Sequence, residues 1–138
     1  MAWLLDTNTC IYLLTGNQPD YQRNILARLD ALPRNERPLI SSVVLSELQY
    51  GVRKSRWRKT NQALLDEFLL DFDMSDYGAS AAVFYGELRT SLEKRGQPIG
   101  PMDMMIAAHA LALDATLVTH NTREFARVKG LRLEDWTG

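Results

Sequence analysis

Short apolar runs alternate along the whole chain with longer stretches whose apolar positions recur at helical spacing. The apolar runs predict strands at 2–5, 38–41, 70–75, 115–119 and 131–136. The longer stretches predict helices at 8–14, 19–32, 43–55, 58–70, 76–95 and 102–113. Strands that alternate with helices are typical of an α/β fold with a central parallel sheet and helices on both faces.

Polar side chains stand where two of the predicted strands end. Asp6 follows the first apolar run, and Thr119 and Asn121 follow the run at 115–119. In open α/β sheets, ligands bind at the carboxyl ends of the strands. Asp6 is equally suited to capping the next helix, Asn8 to bracing that loop, and Thr119 and Asn121 to forming a turn. The position alone leaves both interpretations open.

Two further carboxylates interrupt apolar surfaces. Glu47 falls within the stripe 43–44–47–48–51 of a predicted helix, where its neighbours are valine, leucine and glycine. Asp103 opens a helix that is otherwise almost wholly apolar. An exposed or ion-paired Glu47 and a helix-dipole role for Asp103 explain each residue separately.

Together, Asp6, Glu47 and Asp103 predict a metal site. Three carboxylates in one crevice repel one another, and a hard cation relieves that repulsion. Mg²⁺ or Mn²⁺ prefers such oxygen ligands and is commonly shared with a substrate phosphate. The side chain of Asn121 offers an additional oxygen ligand. No cluster of histidines and cysteines has the spacing of a zinc site.

Composition narrows the class of protein. The 138 residues are expected to form a single domain, 1–138, and the formal net charge is −1. Cys10 is the only cysteine, so no internal disulfide forms, which fits a reducing cytoplasm. The N-terminus lacks the pattern of a signal peptide, and no apolar run reaches the roughly 18 residues of a membrane span.

With so little net charge, binding of nucleic acid requires a local basic patch. The segment RKSRWRK supplies one, composed of Arg53, Lys54, Arg56, Trp57, Arg58 and Lys59. Arginine and lysine neutralise phosphates, and unpaired bases stack on aromatic rings. The same segment also suits a solvated junction between two helices, or a contact with an acidic partner.

Four motifs, LLDTNTCIYLL, ISSVVLSELQYGVRKS, GQPIGPMDMMIAAHALALDATLVTHNTREF and GLRLEDW, resemble the PIN-domain ribonuclease toxins of the VapC type. The resemblance covers residues 2–136. It implies an α/β/α sandwich with a central parallel sheet of four to five strands. It also implies an endoribonuclease that depends on Mg²⁺, with Mn²⁺ as a substitute, and inhibits translation by cutting tRNA, with the initiator tRNA anticodon loop as the expected target.

The resemblance also assigns residues and partners. The first, second and third acids of the family fall on Asp6, Glu47 and Asp103, the polar residue after the late strand falls on Thr119, and a fourth acid is replaced by Asn121. The implied partners are a VapB-type antitoxin, with which the toxin forms a larger hetero-oligomer, and a second copy of the chain in a homodimer.

Two other functions compete with this interpretation. A metal-independent ribonuclease would use His109 and His120 as acid and base and leave a cyclic phosphate. A protein without catalysis would only bind RNA or an antitoxin. Intact Asp6, Glu47 and Asp103 argue against the second alternative, whereas the neutral Asn121 leaves it open.

Overall fold

Five parallel strands form the centre of the molecule. The computed structural model describes residues 1–138 and orders the strands β3-β2-β1-β4-β5. The strands are β1 (Trp3–Leu5), β2 (Leu39–Ser41), β3 (Asp73–Ser75), β4 (Thr116–Val118) and β5 (Leu133–Glu134). Because every neighbouring pair is parallel, all carboxyl ends lie at one edge of the sheet. The predicted parallel α/β fold is confirmed.

Seven helices connect and cover these strands. They are α1 (Thr7–Thr15), α2 (Pro19–Asp30), α3 (Ser42–Lys54), α4 (Arg58–Leu69), α5 (Ala79–Lys94), α6 (Pro101–Ala112) and α7 (Thr122–Phe125). None of them is long and apolar enough to cross a membrane. The predicted helices are all present, with ends that differ by a few residues.

The apolar positions that defined these elements form one core. Leu4, Ile40 and Leu117 of the three inner strands are fully buried. Helix α6 is buried in the same way, because Ile106, Ala107, Ala108 and Ala110, on several of its sides, are all fully buried. Burial on both faces explains why the strands have continuous apolar sequences, without polar alternation.

All five predicted strands are shorter in the structure, and two of them lose three residues or more. The strand expected at 70–75 begins at Asp73, because Leu70, Asp71 and Phe72 complete the last turn of α4 through backbone hydrogen bonds to residues 67–69. The strand expected at 131–136 is confined to Leu133–Glu134. Neither change moves a carboxyl end away from the common edge of the sheet.

Candidate acidic site

Asp6 fills the capping role that its sequence position allowed, and it also lies at the carboxyl edge of the sheet. It is the N-cap of α1, since its Oδ1 accepts a hydrogen bond from the backbone N–H of Thr9 at 2.9 Å. Its own backbone N–H donates to the carbonyl of Val118 on β4. The side chain is only 4% exposed, and burial raises its pKa, while hydrogen bonds from Thr119 and Thr9 act in the opposite direction. Asp6 is therefore a buried carboxylate, held at the carboxyl edge of the sheet.

Glu47 reaches this edge from α3. Its neighbours Val43, Val44 and Leu48 are buried, and Glu47 itself is partly buried. Its Oε1 accepts a hydrogen bond of 2.5 Å from the hydroxyl of Thr7, in the first turn of α1. The contact joins the helix that Asp6 caps to the helix that carries Glu47, so the two carboxylates occupy one crevice.

Asp103 lies in the first turn of α6, as its sequence position predicted. Burial raises its pKa to about 6, and the negative charges of Glu124, Asp6 and Glu47 add to the effect in that order. Negative charges raise the pKa of a carboxyl group in this way only when they lie close to it and are weakly screened. The structure therefore brings together the three carboxylates that the sequence singled out.

Glu124 is a fourth carboxylate of this site, and the sequence analysis did not identify it. It lies on α7, where its Oε1 accepts from the backbone N–H of Gly100 at 3.3 Å and its Oε2 from the amide Nδ2 of Asn121 at 3.0 Å. Its charge is the first of the three that raise the pKa of Asp103. The signal in the sequence was the spacing of three between Asn121 and Glu124, which places both on one side of a helical turn.

The polar residues expected to support the site have unequal roles. Thr119 is fully buried, and its hydroxyl accepts the backbone N–H of Asn121 at 2.9 Å. Asn121 in turn directs its amide group to Glu124. Asn8 is exposed and its side chain makes no hydrogen bond, so it does not stabilise the loop after Asp6 as expected. Thr7, which bonds to Glu47, and Thr9, which bonds to Asp6, do so instead.

The donors of the site suit a hard divalent cation. The side chains of Asp6, Glu47, Asp103 and Glu124 all offer carboxylate oxygens. Burial raises the pKa of Asp103, and the negative charges of the other three raise it further. No three carboxylates converge on one point closely enough to chelate an ion in the side-chain positions observed. The fit therefore rests on the chemistry of the donors and on their mutual repulsion.

The basic segment lies at the junction of α3 and α4. Arg53, Arg56, Trp57, Arg58 and Lys59 line a shallow surface depression there. Trp57 is 64% exposed, and the guanidinium of Arg56 lies 4.9 Å from its ring centroid. The structure thus presents an aromatic ring beside free positive charge, without contact to the four carboxylates.

The two histidines lie in different environments. His109 is buried in α6, where Nδ1 is 2.7 Å from the hydroxyl of Ser41 and Nε2 is 3.1 Å from that of Ser75. Burial lowers the pKa of His109, which favours the neutral ring. His120 is exposed and bonded to Asp135. Because the two rings share no contact, the structure offers no site for an acid–base pair of histidines.

Known proteins resemble this chain over nearly its full length. The profile of the PIN domain matches residues 3–131. The chain is 46% identical to Ribonuclease VapC2 of Rickettsia felis, over 99% of this chain and 98% of that protein. It is 42% identical to the tRNA(fMet)-specific endonuclease VapC of Shigella flexneri, over 99% of each.

A solved structure also resembles this chain over nearly its full length. The chain superposes with a TM-score of 0.87 and 44% identity on the structure of VapBC2 from Rickettsia felis bound to a DNA fragment from their promoter, over 99% of each chain. Nucleases with this domain are in general metal-dependent, in agreement with the oxygen donors found here. The chain belongs to the PIN-domain family, and within that family to the VapC-type ribonucleases.

Proposed function

We propose that this chain is an Mg²⁺-dependent endoribonuclease that hydrolyses a phosphodiester bond of a tRNA and acts as the toxin of a toxin–antitoxin pair. The proposal is carried by one observation, the grouping of Asp6, Glu47, Asp103 and Glu124 at the carboxyl edge of a parallel sheet. The names of the similar proteins support the choice of RNA, and the relative from Shigella flexneri supports the initiator tRNA.

In the proposed mechanism, Asp6 and Asp103 would hold the ion, and Glu47 would either join them or orient the attacking water. A bound Mg²⁺ lowers the pKa of water and neutralises charge on the phosphate. Thr7 fixes Glu47 through its hydroxyl, and Thr119 and Thr9 fix Asp6. Glu124, held by Gly100 and Asn121, places further negative charge beside Asp103.

The test of this function is cleavage of end-labelled bulk tRNA with Mg²⁺, with Mn²⁺ and with EDTA. We expect cuts only with a divalent ion, and products with a 5′-phosphate and a 3′-hydroxyl, because water attacks in place of the 2′-hydroxyl. The labelled fragments identify the tRNA and the bond. Cuts that persist in EDTA, or cyclic phosphate ends, would contradict a metal-dependent hydrolysis. A folded protein that cuts no RNA would instead favour the alternative of a protein that only binds RNA or an antitoxin.

Neutralising Glu124 tests its membership of the site. Glutamine at position 124 keeps the size of the side chain and an oxygen for the N–H of Gly100, but removes the charge. We expect Glu124→Gln to lower kcat about 10- to 100-fold, as for other groups that orient metal ligands. Glu87→Gln, on the exposed surface of α5, is the matched control. Equal rates for the two variants would place Glu124 outside the working site.

A VapB-type antitoxin is the proposed partner, because the similar structure from Rickettsia felis is a VapBC2 complex. An apolar groove between α1, α3 and α4 suits a segment of such a partner, since Leu14, Leu48, Val52 and Leu64 line it and Leu64 is half exposed. Glu47 also borders the groove. A basic side chain of the antitoxin, directed from the groove towards the acidic site, would complement its charge. A homodimer of the chain within a larger hetero-oligomer remains part of the proposal.

The basic segment is proposed to bind the RNA backbone. We expect the double variant Arg56→Ala/Arg58→Ala to raise KM about three- to tenfold and to leave kcat nearly unchanged. The slope of the logarithm of the binding constant against the logarithm of the salt concentration should fall by about two. The matched control is Arg34→Ala/Lys129→Ala, which removes the same charge from two exposed side chains that lie elsewhere on the surface and make no hydrogen bonds. If Arg56→Ala/Arg58→Ala instead weakens only the complex with the antitoxin, the segment recognises an acidic partner and not RNA.

A further inference from the structure

Three aromatic rings meet at the loop that follows β4 and have no part in the mechanism above. The ring of His120 lies 5.0 Å from that of Tyr21 and 6.5 Å from that of Tyr12, measured between centroids. The two tyrosine rings are 5.2 Å apart, in an edge-to-face arrangement. The cluster thus joins α1 and α2 to the loop that follows β4.

The loop that carries His120 is also the wall of the acidic site. His120 lies between Thr119, whose hydroxyl bonds to Asp6, and Asn121, whose amide bonds to Glu124. Its Cα is therefore only about 3.8 Å from the Cα atoms of both neighbours. Tyr12 lies on α1, the helix whose N-cap is Asp6. Burial raises its pKa, and the charges of Tyr21, Asp6 and Asp135 add to the effect.

The ring of His120 is held on one side only. Its Nδ1 is 3.1 Å from Oδ2 of Asp135 and 2.9 Å from the hydroxyl of Thr137, which itself donates to Asp135 at 2.6 Å. Because a carboxylate only accepts, Nδ1 carries a proton. The other nitrogen, Nε2, has no partner within the chain, and 43% of the side chain is exposed.

The residues that hold His120 are themselves fixed to α2. The amide of Asn24 donates to the carbonyl of Thr137 at 2.7 Å, and the guanidinium of Arg28 is 3.0 Å from the carboxylate of Glu134. Arg28 also lies over the ring of the buried Trp136. These contacts hold the segment 134–137 against the helix that carries Tyr21, so the exposed ring has a defined orientation.

We propose that His120 and Tyr21 form a binding shelf on which an unpaired base of the substrate stacks, next to the bond that is cut. The inference rests on the proposed ribonuclease function and adds the subsite that receives the base. Single-stranded RNA is recognised mainly by stacking of splayed bases on aromatic side chains, including histidine. A fixed and partly exposed ring at the wall of the acidic site supplies such a surface without any change in the fold.

The competing explanation is that the aromatic cluster only fastens α2 to the C-terminal segment. In that case, removing the ring of His120 lowers the stability of the fold but leaves the binding and cleavage of RNA unchanged. Two readouts separate the explanations, namely the division of the effect between KM and kcat and the fluorescence of 2-aminopurine, which is quenched when the base stacks on a ring. The probe is a short RNA with 2-aminopurine beside the bond mapped in the tRNA experiment.

The variants His120→Ala and His120→Phe form the decisive pair. We expect His120→Ala to raise KM about tenfold or more while kcat changes little, because one stacked base is lost, and His120→Phe to keep the KM of the unchanged protein. In the cleavage-deficient Asp103→Asn background, His120→Ala should abolish the quenching and His120→Phe retain it. Tyr85→Leu on α5, which has no contact with the cluster, is the control for loss of an aromatic ring.

Two negative outcomes have different meanings. Unchanged KM and quenching in His120→Ala, whether or not its Tm falls, would overturn the shelf and leave the ribonuclease intact. An unchanged protein that cuts no RNA under any condition would remove the proposed function, and the shelf with it.

Discussion

Asp103→Asn is expected to abolish RNA cleavage and, in the absence of metal, to make the protein more stable. Asparagine has the same shape but is neutral, so it removes a ligand of the proposed ion and also removes the charge that Glu124, Asp6 and Glu47 repel. We expect kcat/KM to fall at least about a hundredfold, as for loss of a group that stabilises charge in the transition state.

The gain in stability follows from the raised pKa of Asp103. The folded protein holds this proton with a pKa of about 6, compared with 3.8 for the free side chain. Asp103 therefore stabilises the fold at low pH, and that contribution is lost as the pH rises through about 6. At pH 7 the carboxylate is destabilising, and after allowance for its partial exposure we expect Asp103→Asn to add about 1–2 kcal/mol to the free energy of unfolding.

Denaturant unfolding in EDTA measures this effect. The gain should be largest above pH 6 and should disappear towards pH 4, where the unchanged residue is protonated in the folded protein. Added Mg²⁺ should stabilise the unchanged protein and have little effect on the variant, because binding to the folded state raises its stability. Asp71→Asn, at an exposed position without hydrogen bonds from its side chain, is the control. A variant less stable than the unchanged protein at pH 7 would show that Asp103 is already compensated.

The sequence was sufficient to predict the parallel sheet and to single out three carboxylates that the fold brings near one another, because both depend on short-range patterns. Alternating strands and helices impose one common carboxyl edge, and Asp6 directly follows a strand. Glu47 and Asp103 stand out from apolar stripes on their helices. These signals are visible in the sequence itself, because charged residues are rarely buried without a partner and a charge within an apolar stripe is therefore unusual.

Glu124 could not be predicted in this way. It belongs to a four-residue helix with mixed polar sequence, where an acid is ordinary. Its partner Gly100 is 24 residues away, and only the fold brings the two loops together. The surroundings of His120 could not be predicted for the same reason, because Asp135, Thr137 and Tyr21 come from other parts of the chain.

Asp6→Asn is expected to have the largest effect on activity without loss of the fold. Asparagine caps a helix as well as aspartate does, and its oxygen can still accept the N–H of Thr9. It supplies no negative charge to an ion, so we expect cleavage to fall by at least about a thousandfold. Because burial raises the pKa of the carboxyl group, the neutral variant should be at least as stable as the unchanged protein at pH 7.

Asp6→Ala separates the two roles of this residue. Alanine removes the cap together with the charge, so the variant should be as inactive as Asp6→Asn but less stable than Asp6→Asn by about 1 kcal/mol. Cleavage of tRNA and denaturant unfolding of both variants, at pH 7 in EDTA, provide the comparison. Residual cleavage by Asp6→Asn but not by Asp6→Ala would mean that the cap, and not the charge, is what the reaction requires. Equal inactivity with unequal stability would show that one carboxylate both begins the helix and serves the chemistry.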